Sequence, residues 1–276
     1  MPELPEVETV RASLQPFVCN QVITGIRIYW SSVIKQPDLV SFRKLIVGQK
    51  ILDLKRKAKH LIFELEDFVL ISHLRMEGKY YYQNLNDDTE WKHVLLVLEL
   101  SNGCELRYHD TRRFGTFHLQ KKDEYEQLAP LIKVGPEPFE SMATVDYLQK
   151  KFKNKNRAIK TMLLDQSIIS GLGNIYVDEV LFASKIHPVT RCNKLQTEHL
   201  KAILNNAKQI LTQAINLKGT TIASYTSNVG VKGTYQQLLK VHKREALACY
   251  VCSSIIEKIK LNGRGTYFCC QCQNKL

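Results

Sequence analysis

The chain predicts an α+β protein built from an N-terminal antiparallel β-sandwich with a flanking helix, a C-terminal helical domain and a terminal β-hairpin held by a metal. Three observations carry this reading. Segments rich in Val, Ile, Tyr and Phe recur between residues 21 and 120. Helical periodicity replaces them after the Gly135/Pro136/Pro138 stretch. Five of the eight cysteines fall within the last 28 residues.

Residues 3–17 place Val7, Val10, Leu14 and Phe17 at spacings of three to four, the stripe of a helix with one apolar face. Strand-like segments follow: QVITGIRIYW, KILDLKR, HLIFELEDFVLISHL, HVLLVLEL, ELRYHD and GTFHLQ, parted by turn residues such as Asn102-Gly103. Two prolines and a glycine in Val134-Gly135-Pro136-Glu137-Pro138 read as a linker. Beyond it YLQKKFKNK, AIKTMLLDQ, NIYVDEVLFASK and the stretch Thr197–Leu217 are helical in period, and the tail from Cys249 returns to short β-like pieces. The expected division is 1–133 for the sandwich, 134–141 for the linker, 142–240 for the helical domain and 241–276 for the terminal finger.

At 276 residues the chain can hold two modest cores, and its 44% hydrophobic and 24% charged residues are those of a globular protein. No run approaches the roughly 18 consecutive apolar residues of a membrane span. The opening MPELPEVETVR carries glutamates where a secretion signal has positive charge and then an apolar stretch. A cytoplasmic protein with no membrane partner is expected. The net charge of +12 suits a polyanion, because each lysine–phosphate contact releases condensed counterions.

Cys249-Tyr-Val-Cys252 and Cys269-Cys-Gln-Cys272 form two C-x2-C pairs with 253–268 between them. Two such knuckles offer four thiolates tetrahedrally to one Zn²⁺, with a hairpin in the intervening loop. Cys270 also makes a C-x-C pair with Cys272; the two-residue spacing favours Cys269, since it turns both sulfurs toward one ion. So short a tail buries too little apolar surface to fold alone, so a structural zinc is expected to hold it. Within the loop, Arg264 stands between Gly263 and Gly265, where a tight turn pushes the guanidinium outward. Such a group grips phosphate bidentately, although a lone turn arginine is often only solvated.

Pro2 is the second unusual feature. Removal of Met1 leaves a free α-amine whose ordinary pKa, about 7.7–8, lies well below the ~10.4 of lysine. That amine is a natural Schiff-base nucleophile. Glu3 beside it and Glu6 one turn on can move protons in the same step, though acids at a helix start also simply favour the helix dipole.

The whole chain resembles the formamidopyrimidine-DNA glycosylase (Fpg/MutM) family of bacteria. The resemblance rests on MPELPEVETV, KRKAKHLIF, HLRMEGKY, YHDTRRFGT, KVGPEP, SGLGNIYVDEVLFASKIHP and the terminal C-x2-C…GRGT…C-x2-C, in that order. It implies a bifunctional glycosylase/AP lyase that excises oxidised purines (8-oxoguanine, formamidopyrimidines) from duplex DNA and cleaves the strand by β,δ-elimination. Pro2 would attack C1′ of the damaged nucleotide, Glu3 would act as acid/base partner supported by Glu6, Lys59 would aid elimination, and Arg264 would grip phosphate beside the lesion. Asn174 would belong to a helix–two-turn–helix motif, with His93, Arg112 and Lys155 as further DNA contacts. Met76, Arg112 and Phe114 would fill the space left by the extruded nucleotide; without the resemblance, Met76 and Phe114 would read as core residues. The loop 220–235, with Gly230 and Gly233, resembles a cover over the extruded base.

The chain departs from the family between Val241 and Cys249, where two glycines and a proline are usual, and at Cys270, where proline is common. Two rival readings are an endonuclease VIII-like enzyme for oxidised pyrimidines, against which Leu4 argues, and a non-catalytic zinc-ribbon protein that binds nucleic acid, against which Pro2-Glu3 argues. The expected state is a monomer carrying one zinc, with damaged double-stranded DNA as partner.

Overall fold

The computed structural model describes residues 1–85, 92–220 and 233–276, and divides into two compact units. The first contains residues 1–132 together with the described residues of the segment 218–234; the second contains 133–217 and 235–276.

In the first unit α1 (Leu4–Val18) buries Val7, Val10 and Leu14 of the expected stripe and adds Leu4 one turn earlier; at the C-terminal end Val18 is buried in place of Phe17, which is exposed. Two sheets follow. One has the order β2 (Ile34–Gln36), β9 (Thr116–Lys121), β5 (Phe68–His73), β4 (His60–Leu65), β3 (Ile51–Lys57); the other is β1 (Ile23–Ile28), β7 (Val94–Leu100), β8 (Cys104–His109), β6 (Lys79–Asn84). Leu54, Phe63 and Leu70 of the first sheet and Leu96, Leu98 and Leu106 of the second join Val7, Val10 and Leu14 of α1 in one core. Edge-to-face rings (Phe63 on Tyr80 at 5.9 Å, Tyr108 on Phe117 at 4.9 Å) lock the layers together. The sandwich is antiparallel except at its edge, where β2 pairs parallel with β9. The apolar pattern does not announce β2, β6 or α2 (Leu39–Ile46): β2 is three residues long, and β6 is three consecutive tyrosines between polar residues. The stretch 60–74 breaks into two strands at Glu66-Asp67.

Three histidines share one face of the larger sheet. His60 pairs in register with His73, their rings 4.6 Å apart, and His118 lies opposite Ile71, one step away. Burial lowers the pKa of His60 and of His118 to about 4 each, and that of His73 well below its ordinary range. A histidine that resists protonation only when folded leaves the unfolded chain binding more protons between pH 4 and 6.5, so stability is complete above 6.5 and falls as pH drops through that window. His60 alone should account for a loss of about 3 kcal/mol over that range, and His60→Phe should flatten the melting-temperature profile between pH 6.5 and 4. An unchanged profile would remove His60 as its cause.

The second unit carries α3 (Val145–Phe152), α4 (Ile159–Leu163), α5 (Asn174–Ala183), α6 (Thr197–Asn216) and the hairpin β10 (Glu257–Leu261) and β11 (Arg264–Phe268). Each helical stretch expected from the sequence overlaps one of these helices; α3 begins at Val145, two residues ahead of the expected YLQKKFKNK, and ends at Phe152. The proline-rich stretch 134–138 is built into this unit: the Gly135 amide donates to the Gln166 carbonyl (2.8 Å), the Ser170 amide to Pro136 (2.9 Å), and Glu137 is buried. A Cβ on Gly135 would meet the Ser167 carbonyl at 2.7 Å, which explains the glycine. Among the described residues no helix is long and apolar enough to cross a membrane.

Candidate functional site

The first unit gathers the N-terminal residues. Glu3 caps α1 reciprocally with Glu6: its carboxylate accepts from the Glu6 amide, and its own amide donates to Glu6 Oε2 (2.9 Å). Both carboxylates are almost wholly buried, 2% and 4% exposed. The other oxygen of Glu6 accepts from the Thr220 amide (2.7 Å) and hydroxyl (3.0 Å). Gly219, at φ +74°, makes that approach possible, since a Cβ there would sit 2.7 Å from Glu6 Oε1. Glu6 is thus committed to structural hydrogen bonds. Residues 221–232 of the expected cover, Gly230 included, lie outside the described residues.

Lys59 is buried at the tip of the β3–β4 hairpin, after Ala58 in the left-handed region (φ +53°). The amine at Met1 is held below the ordinary range by burial; Glu3 and Glu6 oppose the shift, and Lys59 adds to it. The two glutamates and the lysine therefore share the field of the chain terminus. An amine in such a place is more often neutral, which is what attack on carbon requires.

A cavity of about 480 Å³ joins this terminus to the neighbouring loops; it is lined by Met1, Lys35, Arg75, Met76, Arg113 and Phe114, among others. Met76 is 38% and Phe114 52% exposed, so neither is a core residue, and Arg112 lies over the Phe114 ring at 4.9 Å. Their loops close over the buried Tyr108. Side chains at Gly78 or Gly115 would collide with its hydroxyl, so both positions need glycine. Asp110, fully buried, accepts the amides of Arg112 (3.0 Å), Phe114 (2.9 Å) and Gly115 (2.8 Å). The exposed His93, at φ +69°, offers its carbonyl to the Asp110 amide (3.0 Å).

In the second unit the sulfurs of Cys249, Cys252, Cys269 and Cys272 all lie within 4.8 Å of one another. Cys249 and Cys272 are 3.9 Å apart, Cys252 and Cys269 3.4 Å. A tetrahedron with Zn–S of about 2.3 Å has edges near 3.8 Å, so the cluster fits one structural zinc. Cys270 is exposed and outside the cluster, which settles the register in favour of Cys269. Cys252→Ser should release the ion and unfold the finger, whereas Cys270→Ser should leave metal content at one per chain. Metal analysis of both variants checks this, and zinc loss from the Cys270 variant would mean the ligand set is wrong.

The finger hairpin turns at Asn262-Gly263 (φ +47° and +76°), so Arg264 opens β11 with its side chain exposed. The next carbonyl, of Gly265, is held by two donors: Lys160 Nζ (3.0 Å) and Asn174 Nδ2 (2.9 Å), the latter from the first residue of α5. Lys160 also pairs with Asp178 (2.7 Å), whose second oxygen takes the Nδ1 proton of His242 (2.8 Å). All three are buried. Glu179 accepts the amides of Lys240, Val241 and His242; burial raises its pKa and these bonds oppose that rise. They steer the chain into the finger, where Lys243 (φ +58°) and Ala246 (φ +64°) take up left-handed geometry without glycine. Lys155 is exposed.

Sequence reasoning missed Asp110, Tyr108, Gly219, Thr220, Lys160, Asp178 and Trp30. A lysine in the apolar run AIKTMLL and an aspartate in NIYVDEVLF were signals of a buried pair, but nothing in the sequence said that they meet.

Comparison with known proteins gives three family matches: the formamidopyrimidine-DNA glycosylase N-terminal domain over residues 1–117, the formamidopyrimidine-DNA glycosylase H2TH domain over 134–226, and the zinc finger found in FPG and IleRS over 247–275. The chain is 48% identical to the formamidopyrimidine-DNA glycosylase of Oceanobacillus iheyensis over 99% of this chain and 98% of that one. It is 41% identical to that of Bacillus subtilis over the full length of both. Among solved structures it resembles a Lactococcus lactis FPG variant in complex with Fapy-dG-containing DNA (TM-score 0.93, 38% identity, 99% and 100% coverage). It also resembles Lactococcus lactis Fpg in complex with abasic-site DNA (TM-score 0.92, 38% identity, the same coverage).

Proposed function

The chain belongs to the formamidopyrimidine-DNA glycosylase family, and on that premise we propose how its residues divide the work of the reaction. It is a DNA glycosylase of base excision repair that removes oxidised purines from damaged duplex DNA, with the AP lyase activity typical of the family. The single observation that carries the division of labour is the buried start of the chain: Pro2, Glu3, Glu6 and Lys59 are all buried, and the three charged groups act on the amine that precedes Pro2.

With Met1 removed, the Pro2 nitrogen becomes the attacking amine. Its lone pair forms the bond to C1′ as the bond to the damaged base breaks and the base leaves with a proton; the nitrogen gives up its own proton, the C1′–O4′ bond opens with a proton taken up by O4′, and the resulting iminium joins protein to sugar. Glu3 moves protons at the sugar, because its carboxylate lies at the cap beside Pro2. Glu6 holds the cap and ties it to Thr220. Lys59 contacts the DNA beside the reacting sugar and assists elimination. Arg264, Asn174, Lys155 and His93 contact phosphate. Met76, Arg112 and Phe114 project from exposed loops into the vacated space of the duplex. Bound zinc supplies no chemistry to these steps; it folds the hairpin that presents Arg264. The protein works as a monomer in the bacterial cytoplasm, on chromosomal DNA, and its +12 charge favours that partner.

Borohydride trapping on duplexes carrying 8-oxoguanine or dihydrouracil tests this reading. A covalent adduct on the 8-oxoguanine duplex, formed much faster than on the pyrimidine lesion, is the expected result. Faster trapping on dihydrouracil would favour the endonuclease VIII-like reading, and no adduct on either would leave a binder.

A further inference from the structure

Tyr29 and Trp30 follow β1 as a pair of exposed aromatic rings, 61% and 38% accessible. Both amides donate to one carbonyl, that of Leu95 on β7 (2.9 and 3.2 Å). The residue preceding that strand, His93, holds the amide of Asp110. One strand thus fixes Trp30 on one side and the start of the 110–115 loop on the other.

Within that loop the hydrogen bonds so far described all engage backbone amides. The Asp110 carboxylate takes three amides, and its carbonyl takes a fourth, that of Arg113 (3.2 Å). Arg113 nevertheless sits at φ +57°, a region that costs a residue with a side chain free energy and persists only where the surroundings over-determine it. Its guanidinium lies over the Trp30 ring, 4.2 Å from the centroid. Among the described residues no carboxylate forms an ion pair with Arg113. The neighbouring Arg112 goes to the Phe114 ring instead. The two consecutive guanidiniums therefore engage different rings, one fixed to the sheet and one at the loop tip.

We propose that Trp30 is a positioning residue for the 110–115 loop: its indole holds Arg113 and so sets the direction in which Arg112 and Phe114 project. This rests on the reading of Met76, Arg112 and Phe114 as the filler of the vacated duplex space. Trp30 touches no reacting atom; it acts through Arg113. Among the described residues Trp30 is not one of the side chains packed on the sandwich core, so its replacement by Leu should be felt in the loop more than in folding.

The test uses single-turnover excision of 8-oxoguanine from a fully paired duplex and from a bubble in which the lesion has no paired partner, where less extrusion is needed. Trp30→Leu should slow excision from the paired duplex about tenfold, the size expected from losing one partly desolvated cation–π contact. It should slow the bubble reaction less than about threefold, at an unchanged melting temperature. Trp30→Phe should restore most of the paired-duplex rate. Arg113→Met should reproduce the Trp30→Leu split, and the double variant should be no worse than either single one. Phe114→Ala, measured alongside, separates the two claims. If it is impaired on paired duplex while Trp30→Leu is not, the positioning role is overturned and the filler reading stands. If Phe114→Ala matches the unsubstituted protein, both are overturned. Equal slowing of paired and bubble substrates by Trp30→Leu would mean a general structural role and would also overturn the proposal.

Discussion

Protein bearing one extra residue before Pro2 is expected to bind lesion-bearing duplex, keep its zinc and fold, yet form no borohydride-stable adduct. Any preceding residue turns the proline nitrogen into a tertiary amide whose lone pair is delocalised into the carbonyl. Trapping and base release should both fall by about a thousandfold or more, because the covalent route is closed rather than weakened. A C-terminal extension should leave trapping intact. Glu3→Gln keeps the amine and should lose excision of an intact lesion more than cleavage at a pre-formed abasic site, where the base has already gone. If the extended protein traps as well as the processed one, the nucleophile is elsewhere, and the buried Lys59 is the next candidate.

The second large effect is expected at Lys160. Lys160→Met removes one member of the buried Lys160–Asp178–His242 network and one of the two donors on the Gly265 carbonyl. Leaving Asp178 short of its cation should cost about 3–5 kcal/mol. The same change loosens the start of β11, so Arg264 should grip phosphate less well in whatever protein still folds. Thermal unfolding reads the first consequence, and lesion affinity measured well below the melting temperature reads the second. A double change, Lys160→Met with Asp178→Leu, removes charge and partner together and should recover stability without recovering affinity. A fully stable single variant would show that the pair contributes nothing.

The sequence carried the architecture because its periodicities are local: the stripe of α1, the β-branched runs and the C-x2-C pairs each declare themselves within a few residues. The metal ligands were legible for the same reason, since knuckle spacing is a property of adjacent residues. What escaped depends on pairs distant in the chain. Glu6 could be marked as an acid beside an amine, but its bond to Thr220 spans more than two hundred residues and is visible only once folded. By type Met76 and Phe114 look like core residues; the resemblance alone took them out of the core, and both are exposed. Tyr108 reads as one more strand aromatic, although two glycines exist to accommodate it. Between Val241 and Cys249, where the family usually carries two glycines and a proline, Lys243 and Ala246 adopt the left-handed geometry that glycine adopts without strain, with Glu179 holding the amides just ahead of them.

The burial of the first residues also sets a clock on biosynthesis. Pro2 is buried, Met1 is half-buried, and the helix that begins at Leu4 packs its first turn into the sandwich core. An aminopeptidase needs the terminal residues extended in its own cleft, and the folded protein does not offer them. If Pro2 is the nucleophile, removal of the initiator methionine should fall to the nascent chain, before the sandwich closes over α1. On that proposal a molecule that folds with Met1 still attached should form no adduct with DNA. The active fraction of any preparation then records how folding and processing competed at the ribosome, and mass spectrometry of the intact N-terminus would report it directly.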